Sequence, residues 1–140
     1  MDNINEFREY TRKLERKLEM LNMSDCETCN ISSAQCHILV EIGRNNNISL
    51  KEVSRIVDLD KSTVCKSVED LVQRQLITRT QNSLDRRQIE LNLSDTGEQY
   101  FKQIENHMND KFSKIFSNIS EKDRENVVVA LKILLDAFEN

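Results

Sequence analysis

The sequence predicts a mainly α-helical domain of about six helices with one small β hairpin, and three observations carry that expectation. Apolar residues recur at spacings of three and four over several separate segments, the period of helices that bury one face. Proline is absent and only Gly43 and Gly97 are glycine, too few turn residues for a sandwich or barrel. One segment, Gln88 to Leu93, alternates with period two, as a half-buried strand does. The 140 residues suffice for one domain with a core that needs no staples.

The first helix is expected over Asn5 to Leu21, where Phe7, Thr11, Leu14, Leu18 and Leu21 share a face. A polar loop, Asn22 to Asn30, follows. Ser32-Ser33-Ala34-Gln35 has the form of a capping box, with Ile31 as the staple residue before it. Ile38, Leu39 and Ile42 continue that helix until Gly43 and the Asn45-Asn46-Asn47 turn are expected to end it. Ser49 can cap a short helix holding Leu50, Val53, Ile56 and Val57. Asp58-Leu59-Asp60 breaks it, and Asp60 can cap a further helix from Lys61 to about Arg74. Two helices around a three-residue turn have the spacing of a helix-turn-helix.

Leu76 to Thr80 reads as a strand, Gln81 to Arg87 as a polar tip, and Gln88 to Leu93 as the return strand. A basic-tipped hairpin directly after a helix-turn-helix is a wing. Ser94 or Asp95 then starts a long helix with Phe101, Ile104, Met108, Phe112 and Ile115 on one face. Ser120-Glu121-Lys122-Asp123 resembles another cap, before Val128, Leu131, Leu135 and Phe138 at near-heptad spacing. End helices of this kind cannot bury their stripes alone, so an intertwined homodimer through the N- and C-terminal helices is expected.

The net charge of −4 argues weakly against nucleic acid, but distribution matters more than the sum. Within Lys61–Arg87, the basic Lys61, Lys66, Arg74, Arg79, Arg86 and Arg87 face only Glu69, Asp70 and Asp85. No 18-residue apolar run exists, and the N-terminus lacks a basic region followed by an apolar stretch, so the expectation is a cytoplasmic protein with no membrane span.

Several motifs together resemble the MarR family of winged helix-turn-helix transcription regulators. Ile31-Ser32-x-x-Gln35-x-x-Ile38-Leu39 is similar to its second-helix signature. Val53-Ser54-x-x-Val57 and Lys61-Ser62-Thr63-Val64-Cys65-Lys66-x-Val68-x-x-Leu71 resemble its paired DNA-binding helices. Leu76-Ile77, Asp85-x-Arg87 and Leu91-x-Leu93-Ser94-x-x-Gly97 resemble its wing and the exit into the long helix. The resemblance implies one domain over residues 1–140, with a DNA-binding lobe at 31–97 and dimerisation helices at 1–30 and 98–140. It also implies a bacterial regulator, commonly a repressor, released from an inverted-repeat operator by a small-molecule inducer, a metal or an oxidant. Gln75 departs from the family pattern, which has glycine there to close the recognition helix in a left-handed conformation.

Ser62, Thr63 and Lys66 lie off the Val64–Val68–Leu71 stripe at the start of the second motif helix. There they can reach base edges or phosphates of double-stranded DNA from the major groove. Arg86 and Arg87 at the wing tip suit a narrow minor groove, with Asp85 expected to orient an arginine. The ordinary alternatives are a solvated helix face and a plain hairpin turn. His107 is expected in solvent.

The cysteines form a second constellation. Cys26-x-x-Cys29, Cys36 and Cys65 are candidates for sensing, through a reversible disulfide or through zinc or another thiolate-bound metal. Cys36 and His37 lie about 100° apart on a helix and cannot easily aim at one ion; Cys36 also reads as a small core residue. Two other functions compete with DNA binding. A thiol–disulfide enzyme would use Cys26 and Cys29, although no strand precedes them as such enzymes require. A helical adaptor would use the basic hairpin to hold another protein.

Overall fold

The protein was analysed as a computed structural model, which describes residues 3–23 and 30–139. Among these residues the order is α1 (Ile4–Met23), α2 (Ser33–Arg44), β1 (Ile48–Ser49), α3 (Leu50–Val57), α4 (Lys61–Gln73), β2 (Ile77–Gln81), β3 (Ile89–Leu93), α5 (Asp95–Ser117) and α6 (Glu121–Ala137). The chain divides into two compact units, Met1–Glu105 and Asn106–Asn140, with the boundary inside α5.

Short-range chemistry sets the starts of the first unit's helices. The capping box of α2 is complete: Gln35 N–H donates to Ser32 Oγ at 3.1 Å, and Ser32 N–H donates to Gln35 Oε1 at 3.0 Å. Ser49 caps α3 by accepting from Glu52 N–H at 3.0 Å. Asp60 caps α4 by accepting from Thr63 N–H at 3.0 Å. Asp58 ends α3 in the left-handed region, which a short polar side chain tolerates.

The three helices and the sheet enclose the core. Ile38, Leu39 and Ile42 of α2, Val53 of α3, and Val64, Val68 and Leu71 of α4 are buried, together with Leu76, Ile77 and Leu91. Burying each such side chain fully stabilises the fold by about 1.5–3 kcal/mol relative to leaving it in water. The sheet is antiparallel in the order β1-β3-β2, with Ile48 opposite Leu91 and Ile77 opposite Leu93. Two-residue β1 is not expected from sequence, because it is too short to show alternation. The hairpin strands sit one residue later at their starts than expected.

Both glycines answer to close approach. The sequence reading has Gly43 and the Asn45-Asn46-Asn47 turn ending α2; the helix runs through Arg44 to a C-cap at Asn45, so the turn ends it and Gly43 lies within it. A Cβ on Gly43 would lie 2.5 Å from a ring carbon of Phe101, so the residue is small to admit that ring. A Cβ on Gly97 would lie 1.9 Å from the Leu76 carbonyl oxygen. Ser94 completes this junction, its Oγ accepting from Gly97 N–H at 3.0 Å and donating to the Gln75 carbonyl at 2.6 Å.

Gln75 adopts φ 62°, the left-handed conformation that the family pattern assigns to glycine. Its N–H donates to Val72 O at 2.9 Å and Leu76 N–H donates to Leu71 O at 3.0 Å, the two bonds of a Schellman motif. The motif holds despite a Cβ that disfavours it. Gln75→Gly is therefore expected to stabilise the protein by about 0.5–1 kcal/mol, after allowing for the added freedom of the unfolded chain. A urea midpoint equal to or below the parent's would contradict this.

The second unit holds the end of α5 and all of α6. Arg124 shapes the turn between them: its Nε donates to Ile119 O at 3.0 Å, and its guanidinium lies 5.4 Å from the centre of the Phe116 ring. Ser120 stands at the N-cap of α6 but makes no side-chain cap; its hydroxyl instead donates to Asp123 Oδ2 at 2.8 Å. No residue of α6 is buried; Leu135 is 65% and Phe138 80% exposed.

Candidate nucleic-acid interface

Helix α4 buries Val64, Val68 and Leu71 and turns Lys61, Ser62, Cys65, Lys66 and Glu69 to solvent. Residues at i, i+4 and i+7 share a helix face, so Ser62, Lys66 and Glu69 form one outward row. The N-cap organises the start of that row. Ser62 Oγ donates to Asp60 Oδ2 at 2.6 Å and Thr63 Oγ1 donates to Asp60 Oδ1 at 2.5 Å. The Ser62 hydroxyl first, then the Thr63 hydroxyl and N–H, hold the Asp60 carboxyl down at about 2. This depressed value means the charged cap is complete above the ordinary 3.8 and is lost as pH falls through about 2. With their protons directed at Asp60, both hydroxyls keep lone pairs that can accept from a base amino group.

The wing tip is held by side chain to backbone bonds. Asn82 Oδ1 accepts from Leu84 N–H at 2.7 Å and from Asp85 N–H at 3.2 Å. Asp85 Oδ1 accepts from the backbone N–H of Arg87 at 3.0 Å. Asp85 thus meets Arg87 through the main chain and shapes the turn that presents the arginine. Arg86 and Arg87 are exposed.

Internal pairing separates the basic residues of this region into two groups. Arg79 Nη1 lies 2.7 Å from Glu69 and Arg74 Nε lies 3.2 Å from Asp70, so these cations are already matched. Among the described residues no ion pair engages Lys61, Lys66, Arg86 or Arg87. Four unmatched cations therefore stand at the start of α4 and on the wing tip of a chain whose net charge is −4.

Sequence reasoning misses two further cations. A cleft of about 570 Å³ has α3 and the start of α4 on one side and the wing on the other; Lys51, Arg55, Lys61, Cys65 and Arg87 line it. Lys51 and Arg55 are four apart on the outer face of α3, and that spacing is the available signal. Arg55 also pairs with Glu52.

Among the described residues, the two thiols differ in setting. Cys65 is exposed and in that cleft, whereas Cys36 is half-buried on α2. Cys26 and Cys29 lie outside the described residues. Among the described residues no three His, Cys, Asp or Glu side chains converge as a metal site. His37 and His107 are exposed on their helices.

A helix-turn-helix whose second helix is exposed along one row, followed by a basic-tipped hairpin, defines a winged helix-turn-helix protein. A match to the MarR family covers residues 30–88, the span from the start of α2 to the wing tip. Over these residues, fewer than half of its length, the chain is similar to that family. It is 27% identical over 89 residues to the HTH-type transcriptional repressor MdtR of Bacillus subtilis, covering 64% of this chain and 57% of that protein. The match therefore spans just over half of that relative's length. It is also 27% identical to the HTH-type transcriptional regulator BilQ of Clostridioides difficile, covering 79% of this chain and 78% of the relative. Among solved structures, a MarR protein from Peptoclostridium difficile superimposes with a TM-score of 0.84 over 99% of this chain and 89% of that one, at 24% identity. FabT of Streptococcus pneumoniae, crystallised in complex with DNA, gives a TM-score of 0.80 over 98% of this chain and 96% of that one, at 23% identity. Both curated relatives are described as transcription regulators, and neither description favours the thiol–disulfide enzyme alternative. No described helix is long and apolar enough to cross a membrane.

Proposed function

We propose that this chain, a transcription regulator of MarR type, is a cytoplasmic bacterial repressor that binds an inverted-repeat operator as a homodimer. The observation that carries the reading is the placement of Lys61, Lys66, Arg86 and Arg87, without carboxylate partners among the described residues, at the start of α4 and on the wing. Lys66 with Ser62 and Thr63 would enter the major groove, and Arg86 and Arg87 the adjoining minor groove, with the two α4 helices of a dimer about 34 Å apart. Exposed apolar side chains on α1 (Phe7, Leu14, Leu18), on α6 (Leu131, Leu135) and at its C-cap (Phe138) support a dimer, since a lone chain leaves them in water.

Release by a signal is part of the proposal, whether a small-molecule inducer, thiolate-bound zinc or oxidation. Cys65 offers the most direct route, because a bulky adduct in a cleft lined by Lys61 and Arg87 would obstruct the DNA-facing surface. Cys26 and Cys29 offer a second route through the loop before α2. A mobility-shift assay on DNA from around the protein's own gene, with and without oxidant or zinc, tests both. The expected result is binding by the reduced protein, release by oxidant in the parent, and loss of that response in Cys65→Ser or in Cys26→Ser/Cys29→Ser. Equal responses in all three proteins would remove these cysteines from the mechanism, and absence of any DNA binding would remove the function.

A further inference from the structure

A part-buried polar tie joins the recognition helix to the start of α2. Gln35, only 8% exposed, completes the α2 capping box through its Oε1 and uses its Nε2 to donate to Asp70 Oδ2 at 2.5 Å. The same Asp70 oxygen lies 3.2 Å from Arg74 Nε, and Arg74 Nη1 donates to the Asn30 carbonyl at 2.7 Å. Asn30 is itself set at φ 51°, turning the chain into α2. The C-terminal end of α4 is thus fastened at two points: through Asp70 to Gln35 in the first turn of α2, and through its C-cap Arg74 to Asn30 just before α2.

We infer that Gln35 is a positioning residue for DNA recognition: through Asp70 it fixes the angle at which the N-terminal end of α4 meets the groove. The inference rests on the DNA-binding reading above. Lys66 and Asp70 are one turn apart, about 6 Å along the axis, so a tilt about the tie is carried directly to the DNA-facing residues. Recognition tolerates misplacement of only about 0.5 Å or 10–20°. The apolar packing of α2 against α4 can slide, whereas a donor and acceptor at 2.5 Å fix one arrangement. A buried amide left without its acceptor is also unfavourable, which favours that single arrangement.

The test exploits the two jobs of Gln35. Gln35→Glu keeps the cap, since glutamate at that position accepts Ser32 N–H equally well, but it cannot donate to Asp70 and sets two carboxylates side by side. In the double variant Gln35→Glu/Asp70→Asn the new amide donates to the new carboxylate, and the net charge equals the parent's. Asp70→Ala removes the tie while leaving the cap untouched. Dissociation constants would be measured on a DNA fragment that the parent binds, at several salt concentrations, with thermal unfolding of each variant. The expected result is at least a tenfold loss of affinity in Gln35→Glu and in Asp70→Ala, an unchanged salt slope, and recovery to within about threefold in the double variant. Asp70→Ala removes a negative charge and would tighten binding if charge alone mattered. Parent-like affinity in both single variants, a loss no larger than the unfolded fraction explains, or no recovery in the double variant would overturn the inference. Absence of DNA binding by the parent would instead refute the function on which it rests.

Discussion

Replacing Arg87 by alanine is expected to weaken DNA binding by about 10- to 100-fold, the 1–3 kcal/mol typical of a well-placed guanidinium contact. The loss should be similar on many sequences, because a wing arginine reads groove width and backbone rather than base edges. The structure explains why this cation matters more than its neighbours Arg74 and Arg79. Those two are committed to Asp70 and Glu69, whereas Arg87 is held outward by a turn in which Asp85 takes its N–H and not its guanidinium. Thr63→Ala or Lys66→Ala should also relax base preference, since these are the residues proposed to enter the major groove. Competition binding against a panel of operator variants distinguishes the two effects. An Arg87→Ala protein that binds as the parent does would remove the wing from the interface.

Leu131→Asp/Leu135→Asp is expected to have the larger effect, by separating the two DNA-binding lobes. No residue of α6 is buried in the single chain, and its apolar stripe is exposed through Phe138. Two charges on that face would have to be desolvated in a dimer, which is strongly unfavourable. Losing the link between two half-sites removes an avidity gain of about 10²- to 10⁴-fold. Sedimentation equilibrium should show a dimeric parent at micromolar concentration and a monomeric variant, with the loss of operator affinity following. A monomeric parent would contradict the proposal outright.

Features that depend on neighbours along the chain are legible in the amino-acid sequence. Ser32, Ser49 and Asp60 cap the helices expected of them because a cap requires only the next three residues. The wing is visible from alternation and from the polar run between its strands. Resemblance marks Gln75 as a left-handed position, and its φ of 62° agrees. Features that depend on distant partners are not legible in this way. Gly43 looks like a helix end because nothing local shows that the Phe101 ring, 58 positions later, comes against it. The excess of positive charge over Lys61–Arg87 hides a division between matched and unmatched cations, since Arg79 finds Glu69 only when β2 lies beside α4. Gln35 reads as half of a capping box, and its second bond, to a residue 35 positions away, needs the packed helices. Lys51 and Arg55 gain meaning only as lining residues of a cleft shared with the wing.

A chain of net charge −4 that binds duplex DNA must do so through a local patch such as the one on α4 and the wing. The most direct measurement is the affinity of the parent and of Lys66→Ala/Arg87→Ala for DNA from around its own gene, between about 50 and 200 mM salt. Each phosphate contact contributes about −0.9 to the slope of log affinity against log salt, so the parent should show a steep fall and the double variant, which loses two cations from each subunit of the dimer, a slope shallower by up to about 3.6 units. A parent affinity that does not change with salt, or a double variant with the parent's slope, would contradict the account.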